Sequence, residues 1–97
     1  MNQKKKMTLK AEMRTPEGLH KFKVTGRPAQ TLEALIDSNA AGITALEMSS
    51  WAFRLGAYVH ILRHDYDLEI ETRREPHDGG WHARYVLHTP VKLIKPN

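Results

Sequence analysis

The sequence predicts an α+β fold in which three short helices lead into a two-stranded ribbon, with an N-terminal strand or hairpin ahead of them. Three observations carry that order. Between Ser50 and Tyr66, at about 100° per residue, Trp51, Leu55, Tyr58, Val59 and Leu62 fall on one side of a helix while Phe53, Ala57, His60 and His64 fall on the other. Upstream, Thr44-Ala45-Leu46-Glu47 has the spacing of a capping box, in which the threonine hydroxyl takes the amide three residues on and the glutamate reaches back. Downstream, two alternating runs flank Glu75-Pro76-His77-Asp78-Gly79-Gly80, a turn cluster whose Asp-Gly step tolerates positive φ.

The elements follow from the N-terminus. Residues 1–7 contain a lysine run with nothing to bury and read as a disordered basic tail. In residues 8–25, Leu9, Ala11 and Met13 alternate with Lys10, Glu12 and Arg14. Thr15-Pro16-Glu17-Gly18 then has the composition of a type I turn, and Phe22 and Val24 oppose Lys21 and Lys23. This is a hairpin with lysines on one face. Gly26-Arg27-Pro28 breaks the strand, and Pro28 suits the first turn of a helix because its missing N–H would be unpaired there anyway. Leu32, Leu35 and Ile36 give this first helix a buried stripe, with Glu33 and Asp37 facing water.

Asn39 to Gly42 ends it, and Ile43 is placed to bridge to the later ribbon. The capping box starts a second helix of under two turns, and Ser49 and Ser50 cap the third. In the ribbon, Leu68, Ile70 and Thr72 alternate with Glu69, Glu71 and Arg73. The return run alternates Trp81, Ala83, Tyr85 and Leu87, facing inward, with His82, Arg84, Val86 and His88. Val91, Leu93 and Ile94, bounded by Pro90 and Pro96, form a short edge strand. Helix, helix, helix, hairpin over residues 26–97 is the order of a winged helix-turn-helix, whose third helix is the reader.

Composition narrows the function. Ninety-seven residues, 40% of them hydrophobic, make one domain with a modest core. Without cysteine there are no disulfides, thiolate metal sites or cysteine nucleophiles. No apolar run approaches a membrane span and no signal-peptide core follows the lysines, so the expectation is a soluble cytoplasmic protein with no membrane partner. The net charge of +4 is unevenly spread: residues 1–28 hold eight cations against Glu12 and Glu17, a net of +6, and the remainder holds seven against nine carboxylates, a net of −2.

Several strings together resemble a known family. Phe22-Lys23-Val24-Thr25-Gly26-Arg27, Thr44-Ala45-Leu46-Glu47 leading to Ser50-Trp51-Ala52, Ile70-Glu71-Thr72, and Gly79-Gly80-Trp81-His82-Ala83-Arg84-Tyr85-Val86-Leu87 are similar to the small winged-helix domain proteins of bacteria and their prophages. The resemblance spans about residues 20–95 and implies a winged-helix fold and DNA binding, with no catalytic residues to carry over. It departs at the helix exit, where related domains often have a glycine and this chain has His64-Asp65-Tyr66-Asp67.

Double-stranded DNA is the partner these readings select. Ser50, Phe53, Arg54, Ala57 and His60 lie at the start and outer face of the third helix. Arg54 has the geometry to pair with guanine O6 and N7, and Ala57 leaves room for a thymine methyl. Arg73, Arg74 and His77 at the wing, and Lys4, Lys5 and Lys6 in the tail, are candidates for backbone phosphate or the minor groove. His82 and Arg84 are secondary candidates. The bland reading makes Arg54 a solvated helix charge and pairs the wing arginines with Glu71 and Glu75. Phe53 and Ile61 on the outer face argue the alternative role, a protein partner or homodimer.

His60 and His64 share a helical face, and His82 and His88 share a strand face. A zinc site needs three or four convergent ligands, so no metal is expected. With no nucleophile elbow or phosphate-binding glycine loop, neither catalytic residues nor a cofactor is expected, and the protein is read as a non-enzyme.

Overall fold

Two antiparallel sheets sandwich the helices. The computed structural model describes residues 7–48 and 50–94. Strand β1 (Thr8–Thr15) and strand β2 (Gly18–Thr25) form the predicted hairpin, Thr8 opposite Thr25 and Thr15 opposite Gly18. Its two-residue connection is held by the Thr15 hydroxyl, which donates to Gly18 O (3.2 Å) and accepts from Glu17 N–H (3.2 Å). The C-terminal strand, β6 (Val91–Ile94), pairs antiparallel with the other side of β1, so the order of this sheet is β2-β1-β6. Alternation turns Ala11 and Val24 inward, where both are fully buried.

Helix α1 (Gly26–Ser38) carries Pro28 in its first turn and buries Ala29, Thr31, Leu32 and Leu35. The Thr31 hydroxyl is satisfied by the Arg27 carbonyl (2.9 Å). Asn39, at φ 53°, ends the helix, and a short 3₁₀ turn over Asn39–Ala41 follows. Gly42 then leads into the two-residue strand β3 (Ile43–Thr44). A Cβ at Gly42 would stand 2.5 Å from the Tyr85 carbonyl oxygen and 2.8 Å from Val86 Cγ2, and the φ of 71° is itself left-handed. Only glycine lets this chain lie so close to the ribbon.

The second predicted helix does not form. Residues 45–47 make a turn. The Thr44 side of the capping box is present, Glu47 N–H donating to Thr44 Oγ1 (3.2 Å). The Glu47 carboxylate is held chiefly by Arg84 (3.1 Å), with Thr44 a lesser neighbour. Over a segment under two turns long, tertiary pairing overrides the local signal.

The third helix is also shorter than expected. Ser50–Arg54 winds as a 3₁₀ helix, and α2 proper runs Leu55–Tyr66. Three-residue winding brings Ala52 and Leu55 onto the same side, and both are buried. Val59 and Leu62 continue that stripe, while Trp51 and Tyr58 stack at its border with ring centroids 6.5 Å apart. The exit needs no glycine, since Asp67 adopts the left-handed conformation (φ 56°, ψ 32°) and both its N–H and that of Leu68 reach Leu62 O. Full burial of Leu32, Leu35, Leu55 and Leu62 stabilises the domain by roughly 1.5–3 kcal/mol per side chain.

Strands β4 (Ile70–His77) and β5 (Gly80–Leu87) form the ribbon, and β3 pairs with β5 through Ile43–Tyr85 and Thr44–Arg84, giving the order β3-β5-β4. Ile43 thus bridges as expected. Arg63 of α2 fastens β4, donating to Ile70 O (2.9 Å) and Thr72 Oγ1 (2.6 Å). Two inward-outward expectations fail on β5: Val86 is buried under Gly42, whereas Trp81 is 53% exposed at the ribbon's far end. The ribbon outruns the helices it packs on, so its tip has no inner side.

Gly42→Ala is expected to destabilise the fold by about 2 kcal/mol or more, from the left-handed φ and the clash with β5. Urea unfolding checks this; a midpoint equal to the parent's would show that β3 can withdraw from the ribbon without cost.

Candidate nucleic-acid interface

Helix α2 turns Ala57, His60 and His64 to solvent, together with Phe53 and Arg54 from the 3₁₀ turn before it. Arg54 occupies the N-cap of α2 and has no hydrogen-bond or ion-pair partner among the described residues. Phe53 is 89% exposed. The backbone of Ser50 begins the 3₁₀ turn. The rings of His60 and His64 lie 4.0 Å apart between centroids. Ile61, read as outer-face, is half-buried. Lys4, Lys5 and Lys6 lie outside the described residues.

The wing candidates are exposed but engaged. Arg73 pairs with Glu71 (3.0 Å), and the Arg74 guanidinium lies 4.2 Å from the centroid of Trp81, its diagonal neighbour across the ribbon. His77 Nδ1 stands 2.8 Å from His82 Nδ1. With His82 Nε2–H donating to the Glu75 carboxylate (3.0 Å), the His82 Nδ1 accepts, and His77 supplies the proton between the two rings. The secondary candidates His82 and Arg84 are tied into the fold rather than offered to a ligand. Arg84 donates to Glu75 (2.7 Å), to both carboxylate oxygens of Glu47 and to Ala41 O (3.1 Å). The helix-face pair His60 and His64 thus stays together, whereas the strand histidines take different partners: His82 serves Glu75, and His88 serves Glu71 (2.6 Å).

Charge on this face is locked in pairs. The Arg73 guanidinium, and after it the His88 ring, hold the Glu71 carboxyl down to about 2. Arg84 is the main cause of the lowered values of both Glu75 and Glu47, and its own value is raised in return by those two carboxylates. The hub Arg84–Glu47–Glu75 was not foreseen, because it joins residues 37 apart and no local pattern marks it. A weaker tie escaped for the same reason, the Arg27 guanidinium 5.8 Å from the Trp51 ring centroid.

Beside the exposed start of α2 lies a cleft of about 200 Å³, lined by Leu46, Phe53, Gly56, His82, Ala83 and Tyr85 among others. Leu46 is 68% exposed at its mouth. Among the described residues no three His, Cys, Asp or Glu side chains converge on one point, and no helix is long and apolar enough to cross a membrane.

A helix packed on α1 by one face and open on the other, joined to a ribbon that extends past it, is the layout of a winged helix. The sequence model of the winged helix domain family matches residues 21–97, and the chain belongs to that family. Among the described residues it does so with two α-helices and six strands in place of three helices and a hairpin. A search of curated proteins and a search of solved structures each found no match.

The Glu71 pairs give stability a defined acid limb. A carboxylate held below its unfolded value contributes stability that is complete above about pH 4.5 and is lost as pH falls toward about 2. The melting temperature of the parent is expected to fall more steeply than that of Glu71→Gln between about pH 5 and 2. Parallel curves would mean that the pairs with Arg73 and His88 contribute nothing.

Proposed function

We propose that the protein is a double-stranded DNA-binding module of the bacterial cytoplasm, used in transcriptional regulation, that performs no catalytic step. In this reading the outer face of α2 enters the major groove, the wing lies beside it, and the lysine-rich N-terminal arm adds sequence-independent attraction. Membership of the winged helix domain family supports the general role. The observation that carries the placement is Arg54, an exposed guanidinium at the start of α2 with no partner among the described residues, while the wing arginines are engaged by Glu71 and Trp81. Ala57, about one turn further on, leaves the helix surface low enough for a base edge to approach, and exposed His60 follows it.

A second reading, a dimerisation or protein-binding surface, is favoured by Phe53 and Leu46, two large exposed apolar side chains that line one cleft. Sedimentation equilibrium separates it: a micromolar dimer dissolved by Phe53→Ser supports it, and a monomer indifferent to that change counts against it.

For the DNA reading, fluorescence anisotropy with a mixed-sequence duplex is the test. Arg54→Ala is expected to weaken binding about tenfold, or about 1.4 kcal/mol. Equal affinities for parent and variant would remove α2 from the interface.

A further inference from the structure

Five of the eleven lysines and arginines among the described residues share one surface, the outer face of the β2-β1-β6 sheet. Because Ala11 and Val24 point inward, the register turns Lys10 and Lys23 outward as a directly opposed pair, and Glu12 outward between Lys21 on one side and Lys92 on the other. Arg14 completes the row along β1. These are five cations against one carboxylate, a net of +4 on a single three-stranded face. No side-chain hydrogen bond or ion pair engages any of the five among the described residues. The contrast with the ribbon is direct, since Arg73 and Arg84 there are each neutralised by glutamates.

We propose that this sheet face is a second DNA-binding surface that grips the phosphate backbone of a duplex without reading its sequence. The identity of the ligand rests on the DNA reading above; the surface does not. Cations two residues apart on a strand are about 7 Å apart, and neighbouring strands about 4.8 Å, so the face is a flat grid of charges a few ångströms apart. A duplex offers charges on that scale, at one per 3.4 Å along each strand. Single-stranded nucleic acid is the poorer fit, because its binders stack bases on aromatic side chains and the one aromatic of this sheet, Phe22, points inward against Tyr66 (centroids 5.6 Å apart). A lipid surface is also a poorer fit. The exposed apolar residues, Leu19 beside Arg14 and Ile94 beside Lys10, sit at opposite corners and make no continuous patch to insert.

The free protein bears a cost that the ligand removes. Like charges directly opposed across an antiparallel pair are destabilising, and Lys10 and Lys23 are so placed. A polyanion on this face therefore relieves strain as it binds. Two readouts consequently move in opposite directions when the lysines are neutralised, which a purely structural role would not produce.

The test compares the full-length parent, the triple variant Lys10→Gln, Lys21→Gln, Lys23→Gln, and Arg54→Ala. Each is titrated with a 20-base-pair mixed-sequence duplex across a salt series, and each is melted without DNA. The triple variant is expected to lose about 3 from the magnitude of the slope of log K against log salt, at about 0.9 per phosphate contact, and to melt at a temperature equal to or above the parent's. An unchanged slope overturns the proposal, and so does a lower melting temperature, which would make the lysines part of the fold. Tighter binding of a 20-nucleotide single strand, or equal binding to anionic vesicles, overturns the choice of duplex. If Arg54→Ala binds like the parent while the triple variant loses slope, the α2 reading fails and the sheet surface stands. If only Arg54→Ala weakens, the reverse holds.

Discussion

One guanidinium decides how the helical half of this protein meets its ribbon. Arg84, on the central strand β5, reaches across β4 to Glu75 and back over β3 to Glu47 and the Ala41 carbonyl. It thereby adds side-chain ties between three segments distant in the chain that the sheet already brings side by side. The same bonds hold Glu75 for His82, which in turn orients His77 at the tip of the wing. They also commit the Glu47 carboxylate chiefly to the ribbon, and the segment whose local pattern predicts a helix is a turn. Close approach of β3 to β5 is the precondition for all of this, and Gly42 permits it by having no Cβ.

That arrangement has an electrostatic consequence. Glutamates on the ribbon are spent on arginines and histidines of the same sheet, so the wing presents few uncompensated charges. Among the described residues the lysines of the N-terminal hairpin have no such partners. The chain is consequently divided into a half that is internally neutralised and shaped by specific contacts and a sheet that keeps its charge in water. Association with a polyanion gains from both halves in different ways: shape and hydrogen-bond geometry from the first, salt-dependent attraction from the second.

How much was legible in the sequence follows from the range of each interaction. The hairpin of β1 and β2, the stripe of α1, the bridge at Ile43 and the edge strand at Val91 were readable because alternation, proline and glycine act within a few residues. The inward side of α2 was readable for the same reason, and so was the exposure of Phe53, Arg54, Ala57 and His60. The missing second helix was not, because its capping residue is claimed by an arginine 37 positions away. Nor was the reversal of Trp81, since alternation says which residues share a face but not how far the opposite layer extends. Of the wing candidates Arg73, Arg74 and His77, all exposed, Arg74 is in phase with Ile70 and Thr72, so alternation alone does not give its exposure, and the partners Glu71, Trp81 and His82 depend on the cross-strand register.

Engagement of DNA by this protein is tested most directly by mapping amide chemical-shift changes in a ¹⁵N-labelled sample titrated with a mixed-sequence duplex. Binding through α2, with the charged sheet gripping the backbone, predicts shifts concentrated at Arg54, Ala57 and His60 and along Lys10, Arg14, Lys21 and Lys23, with the buried residues Leu32 and Leu35 unmoved. Shifts confined to other surfaces, or no shifts at low salt, would contradict it.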